Sequence, residues 1–323
     1  MPDSNKTALI CGATGQDGTY LAQHLLGLGY RVFGTSRDAQ IGGARNFQRV
    51  GIDGQVAMLS MAGNDFRSVL QVLDRVRPDE IYNLAGQSSV GLSFEQPVET
   101  LESHAVATLN LLESMRFMKL PARFYSAGSS ECFGDTGMHA ADENTPFRPR
   151  SPYAVAKATA FWEVANYREA YGLFACTGVL FNHESPLRPE RFVTQKIVRT
   201  AIRIANGSNE RLRLGNLDIE RDWGWAPEYV RAMWQMLQRP TPDDFVIATG
   251  ATYKLEDFVA TAFAHFGLDW REHVEIDDSL LRPTDLRFSR ADPRKAREVL
   301  GWVAQSSMKD VVREMITSLP APV

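Results

Sequence analysis

Short apolar runs alternate with amphipathic stretches along the first half of the chain. Thr7–Cys11, Arg31–Thr35, Glu80–Leu84 and Arg123–Ala127 read as buried strands, with helices over Thr19–Leu28, Phe66–Val76 and Thr100–Met118. A further helix is expected over Ser151–Tyr171. Strand and helix alternating at this pace predict an α/β fold built on a doubly wound parallel sheet. From about Gly178 the alternation breaks at Pro186, Pro189 and a run of arginines. We expect residues 1–178 to form the first domain, with returning segments near 217–250, among them a strand at Phe245–Thr249. Residues 179–323 are then mainly a smaller, interleaved C-terminal lobe. The last helix is expected over Met308–Ser318, with a loose Pro320–Pro322 tail.

Composition narrows the functional classes. Of 323 residues, 44% are hydrophobic and 23% charged, the balance of an ordinary globular protein with a core that needs no disulfides. Cys11, Cys132 and Cys176 form no metal-ligand spacing and leave an odd thiol, which fits a reducing, cytoplasmic compartment and no metal site. Met1 to Lys6 is polar, so no secretory signal is expected, and no stretch has the length of a membrane span. A net charge of −4 argues against nucleic acid and anionic lipid as partners. An anionic small molecule would need a local cluster of arginines.

The segment Gly12-Ala13-Thr14-Gly15-Gln16-Asp17-Gly18 follows an expected strand and opens an expected helix. Glycines there permit a tight turn, a close approach of backbone to a pyrophosphate and close helix–strand packing. The helix N-terminus adds unpaired N–H groups and the positive end of its dipole. This context favours a Rossmann-type dinucleotide site over a turn without a ligand. After the second strand, where a carboxylate would bind an NAD ribose, the chain has Arg37. A basic residue suits a 2′-phosphate, so the expected cofactor is NADP; the bland reading of Arg37 is a solvated surface arginine.

Tyr153 and Lys157, four apart in Ser-Pro-Tyr-Ala-Val-Ala-Lys, fall on one face of a helix. An ammonium beside the phenol is expected to lower its pKa and let the tyrosinate act as a base. Upstream, the fourth expected strand runs into Ser126-Ala127-Gly128-Ser129-Ser130-Glu131, at a carboxyl end where open α/β sheets bind ligands. The Ser129 hydroxyl could share a substrate hydroxyl with Tyr153, and Glu131 supplies a carboxylate for a second proton.

Taken together, the Gly12–Gly18 turn, the Ser-Ser-Glu segment and the Tyr153/Lys157 pair resemble extended short-chain dehydrogenases/reductases. Closer still, Phe147–Lys157, Leu180–Arg188, Leu214–Gly224, Asp244–Gly250 and Arg282-Pro-Thr-Asp285 resemble GDP-mannose 4,6-dehydratases, from about Thr7 to Trp302. The resemblance implies that Ser129 replaces a usual threonine, Glu131 is the acid/base, Tyr153 the oxidation base and Lys157 its partner. His183 and Arg188 fall where the family contacts NADP. Asn182, Lys196, Arg221 and Arg282 fall where it holds the GDP-sugar, and Asp285 where a glutamate meets the ribose. Leu84 and Ala85 join the expected cofactor contacts and Ser88 the substrate contacts. Arginine forks at 221 and 282 suit a diphosphate, which they can grip bidentately.

Three positions depart from the family pattern. Ser60-Met61-Ala62-Gly63-Asn64-Asp65 stands where a Gly-Asp usually supplies the adenine carboxylate, Asp38 stands where a second arginine is common, and Pro189 replaces a glycine. They bear on cofactor affinity, NADP preference and tetramer formation. The implied reaction converts GDP-mannose to GDP-4-keto-6-deoxymannose by internal hydride transfer and loss of water. Rival readings are a dehydratase of another GDP-sugar such as a GDP-heptose, a GDP-sugar reductase or epimerase, and a binding module that senses NADP. The resemblance further implies a homodimer or homotetramer, with Thr100–Met118 and Ser151–Tyr171 as contributors to a four-helix interface.

Overall fold

The computed structural model describes residues 6–39 and 44–319. The expected Pro320–Pro322 tail therefore lies outside the described residues. The first half runs β1 (Thr7–Cys11), α1 (Gln16–Gly27), β2 (Arg31–Ser36), α2 (Ala44–Arg49), β3 (Ala57–Ser60), α3 (Phe66–Val76), β4 (Glu80–Asn83), α4 (Val90–Glu95), α5 (Pro97–Leu101), α6 (Ala107–Phe117), β5 (Arg123–Ser129), α7 (Pro152–Tyr171) and β6 (Ala175–Leu180). The second half runs β7 (Asn182–Glu184), α8 (Val193–Ala205), β8 (Leu212–Leu214), β9 (Glu220–Trp225), α9 (Ala226–Gln238), β10 (Phe245–Ile247), β11 (Thr252–Lys254), α10 (Leu255–Ala264), β12 (Val274–Ile276) and α11 (Met308–Thr317).

Seven parallel strands form the main sheet in the order β10-β6-β5-β4-β1-β2-β3. Its central strands are apolar on both faces because helices cover both: Ala8, Leu9, Ile10 and Cys11 are all fully buried. The order reverses between β1 and β4, and the crevice at that switch point faces the carboxyl ends of both strands. Strand β10 pairs with β6 at the sheet edge, so the chain returns to the first sheet after leaving it. A second hydrophobic core, built from α8, α10, α11, β8 and Trp223 of β9, supports the lobe. The three-stranded sheet β11-β9-β7 stands between the two cores.

Among the elements that differ from the sequence expectation, two sit next to the site or to its sheet. Strand β3 had no sequence signal, because four residues with only Leu59 fully inside its burial pattern carry no usable alternation. The long helix expected over Thr100–Met118 is α5 and α6 joined by a π-helical stretch at Glu102–Val106. Helix α7 is delimited by local chemistry: Ser151 caps the Ala154 amide, Pro152 takes the first turn, and Gly172 ends it in the left-handed region at φ 66°.

Candidate active site

The Gly-rich turn joins β1 to α1 at the switch point. Gly12 has φ +80°, and a Cβ on it would lie 3.0 Å from the backbone of Leu84 and Ala85. A Cβ on Gly18 would lie 2.3 Å from the Gly12 carbonyl oxygen. These glycines are therefore dictated by backbone packed on backbone. At the Gly15 N-cap no side chain caps α1, so its first-turn N–H groups stay available for phosphate oxygens. The donors and the close packing both fit a dinucleotide pyrophosphate.

Beneath the turn lies a buried polar clasp. His183 Nε2 is 2.9 Å from Asp17 Oδ2, and its Nδ1 is 2.7 Å from the Phe181 carbonyl. The Gln16 amide donates to the His183 carbonyl, and Ser185 Oγ donates to Gln16 Oε1. Burial pushes the Asp17 carboxyl up, but the charge and hydrogen bond of His183 outweigh it and hold the group well below its usual range. Burial likewise disfavours a charged His183, and Asp17 outweighs that too, leaving the imidazole above its usual pKa.

A cleft of about 370 Å³ opens above the crevice. Ser129, Glu131, Tyr153 and Lys157 line it, together with Asp17, Leu84, His183 and Arg188 from the expected cofactor set. Ser88, Asn182, Lys196, Arg221, Arg282 and Asp285, the whole expected substrate set, line it as well. Gly12, Thr14, Gly15, Gln16, Gly18 and Ala85 belong to the turn and its neighbour and do not face the cleft. Arg37 stands apart, with an 85% exposed side chain that pairs with Glu99 at 3.2 Å.

The Ser129 hydroxyl lies beside the Tyr153 phenol and accepts the Glu131 amide at 3.3 Å. Lys157 Nζ donates to the Ala127 carbonyl at 2.7 Å and lies 5.9 Å from the centre of the Tyr153 ring. The expected lowering of the phenol pKa by Lys157 is not what the structure has. Burial dominates and pushes Tyr153 well above a free phenol, because a phenolate there loses its water. The same burial pulls Lys157 down to about 8, with its ammonium committed to Ala127. Glu131 is raised by burial, against the pull of Arg221 and Arg282.

On the far wall, buried Arg221 donates to the Glu220 carbonyl at 2.9 Å and faces Asp285 at 3.5 Å. Lys196 donates to the Arg213 carbonyl, and Arg188 lies 4.1 Å over the Phe192 ring while pairing with Glu184. Asp65, in the departure after β3, accepts the Ser68 amide as the N-cap of α3, so that carboxylate serves the helix.

Sequence reasoning missed His104, Arg213 and Asn216, which also line the cleft. His104 had no motif around it, and Arg213 lies one residue before the quoted Leu214–Gly224 block. Only the arginine-rich character of the lobe pointed toward Arg213.

The model of the GDP-mannose 4,6 dehydratase family matches residues 9–315. GDP-mannose 4,6 dehydratase 2 of Arabidopsis thaliana is 45% identical, over 97% of this chain and 87% of its own length. GDP-mannose 4,6-dehydratase of Sinorhizobium fredii is 44% identical, over 96% and 95%. Among solved structures, a UDP-glucose 4-epimerase from Thermotoga maritima with UDP-glucose shares the fold at TM-score 0.86 and 20% identity, covering 97% of this chain and 98% of its own. A dTDP-glucose 4,6-dehydratase from Streptomyces venezuelae with NAD matches at TM-score 0.86 and 21% identity, covering 97% and 96%.

Proposed function

This chain belongs to the GDP-mannose 4,6-dehydratase family, and from that premise we propose that its cleft converts GDP-mannose to GDP-4-keto-6-deoxymannose and water. The observation that carries the reading is the convergence of Ser129, Glu131, Tyr153 and Lys157 in one cleft whose opposite wall holds Arg221 and Arg282. A reductase or epimerase has no use for a carboxylate at Glu131, whereas an elimination needs one.

Tyr153 Oη takes the proton from the sugar 4-hydroxyl, with Ser129 sharing that hydroxyl. When held at the Gly-rich turn, a nicotinamide dinucleotide would supply the site that stores a hydride between oxidation at C4 and reduction at C6. The 4-ketone acidifies C5–H, and Glu131 removes that proton and passes it to the departing C6 hydroxyl, which leaves as water. The 4-hydroxyl proton is returned to C5, so atoms and electrons balance within one molecule of sugar. Burial raises the cost of the phenolate, and the neighbouring Ser129 hydroxyl offsets part of it. Arg221 and Arg282 hold the diphosphate, with Asn182, Lys196, Ser88 and Asp285 completing the substrate contacts.

We assign NADP as the cofactor on the strength of Arg37 at the end of β2, where a 2′-phosphate would lie. His183 and Arg188 complete its contacts. Residues 1–178 with the segments near 217–250 then carry the dinucleotide, and 179–323 mainly the GDP-sugar. Val98, Leu101, Leu109, Val155 and Trp162 leave apolar surface exposed on the neighbouring helices α5, α6 and α7, which supports a homodimer formed through them. Three buried free thiols favour a cytoplasmic setting, and no helix among the described residues is long and apolar enough to cross a membrane.

The test is mass spectrometry of GDP-mannose incubated with purified protein, without added cofactor. Loss of one water at constant redox state is expected, and the nucleotide released on denaturation should be NADP. Failure to convert GDP-mannose even with added NADP⁺ would overturn the substrate assignment, and conversion of a GDP-heptose in the same assay would replace it.

A further inference from the structure

His104 lies in the π-helical stretch Glu102–Val106 between α5 and α6 and is 3% exposed. A π-helical stretch costs hydrogen-bond quality and tends to persist where it places a side chain that a regular helix could not. Here that side chain reaches two parts of the site at once. Its Nε2–H donates to the Gln87 carbonyl at 2.7 Å. Its ring meets the Tyr153 ring edge-on, at 5.3 Å between centres and 84° between planes.

The loop after β4 is shaped around the imidazole. Gly86 has φ +129°, and a Cβ there would lie 2.2 Å from His104 Cε1. Next along the chain, the Gln87 side chain bonds both Ser89 and Thr100, so the loop that presents Ser88 and Ser89 to the cleft hangs from His104 and its helix. Burial and the neighbouring Lys157 charge hold His104 well below its usual pKa, so the ring is neutral and keeps a single N–H, the one given to Gln87. A neutral ring also avoids placing a second positive charge beside Lys157.

We infer that His104 is a positioning residue: its Nε2–H fixes the substrate-side Gln87–Ser89 loop and its ring edge fixes the orientation of the Tyr153 phenol. This rests on the reading of Tyr153 as the oxidation base. The two contacts are separable by substitution. His104→Phe keeps a ring edge against Tyr153 and removes the donor. His104→Gln keeps an amide donor near the Nε2 position and removes the ring.

The experiment is steady-state kinetics of both variants on GDP-mannose with the cofactor-bound enzyme, beside Tyr153→Phe as a control, with thermal melting of each. His104→Phe should raise KM about tenfold and leave kcat within about twofold, since one buried hydrogen bond to the loop is lost. His104→Gln should lower kcat about tenfold and leave KM within about twofold, since the phenol loses its support. A merely structural role predicts lower melting temperatures with no such split, and that outcome overturns the inference. So does wild-type kcat and KM in both variants. If instead Tyr153→Phe retains full activity, the reading of Tyr153 fails, and that failure is visible independently of the His104 results.

Discussion

Replacing Glu131 by Gln separates the two halves of the proposed reaction. The amide matches the carboxyl in size but cannot take the C5 proton. In the structure Glu131 is half-buried, within the electrostatic reach of Arg221 and Arg282. Arg221 keeps Asp285 and the Glu220 carbonyl as partners after the change, so the variant should fold. A positioned proton-transfer group is worth roughly 10²- to 10⁴-fold in rate, or about 3–5 kcal/mol of barrier. Dehydration should fall by that factor, while the first hydride transfer, which depends on Tyr153, Ser129 and Lys157, should proceed. Stopped-flow absorbance should show reduced nicotinamide appearing and persisting, and mass spectrometry should show little loss of water. The wild-type rate should also fall on the acid side, where Glu131 becomes protonated, at a pH above that of an ordinary glutamate because burial raises its pKa. The variant should lack that limb. Dehydration by Glu131→Gln at more than about a tenth of the wild-type rate would refute the role.

Three further outcomes are expected. Gly18→Ala places a methyl 2.3 Å from the Gly12 carbonyl, so it should cost about 1–3 kcal/mol or more in stability and weaken retention of the dinucleotide, measured by melting and by the nucleotide content of the purified protein. Asp17→Asn should destabilise by roughly 3 kcal/mol with a pH signature. His183 has a raised folded pKa, so its share of stability is complete below about pH 6.5 and is lost as pH rises through the folded value, whereas the Asp17 share is lost only as pH falls below about 4. The melting difference between wild type and variant should therefore shrink from neutral toward alkaline pH, and a difference constant with pH would contradict the pairing. Trp162→Glu, at a side chain 62% exposed on α7, should shift the protein toward monomer in light scattering; an unchanged assembly would place any interface elsewhere.

Much of the fold was legible because the central strands are buried on both faces and so appear as uninterrupted apolar runs, as in Thr7–Cys11. Strand β3 was not, since four residues at the far edge of the sheet need no such run. The residues proposed to react stood out because their spacing is local: Tyr153 and Lys157 share one helix, and Ser129 and Glu131 share one strand end. Their electrostatics were not. The phenol pKa is set by burial against distant segments, and the ammonium that sequence spacing aimed at it is held by Ala127. The Asp17–His183 clasp joins residues 166 apart, and the partners of His104 come from two other segments. Contacts of that kind leave no periodicity to read.

The order of the site residues along the chain also bears on how such a protein could be changed. Every group proposed to handle a proton lies between Ser129 and Lys157, while the groups proposed to hold the nucleotide's phosphates and sugar fall mostly between Asn182 and Asp285. Chemistry and recognition therefore occupy consecutive, nearly separate stretches of the gene. A graft of the later stretch could re-aim the enzyme at another nucleotide-sugar with the reactive groups left in place. Such a graft cannot stop at the lobe, because β10 completes the main sheet and α9 packs against α1. The transplantable unit would have to bring its own sheet edge and its own helix, matched to the β6 and α1 it inherits.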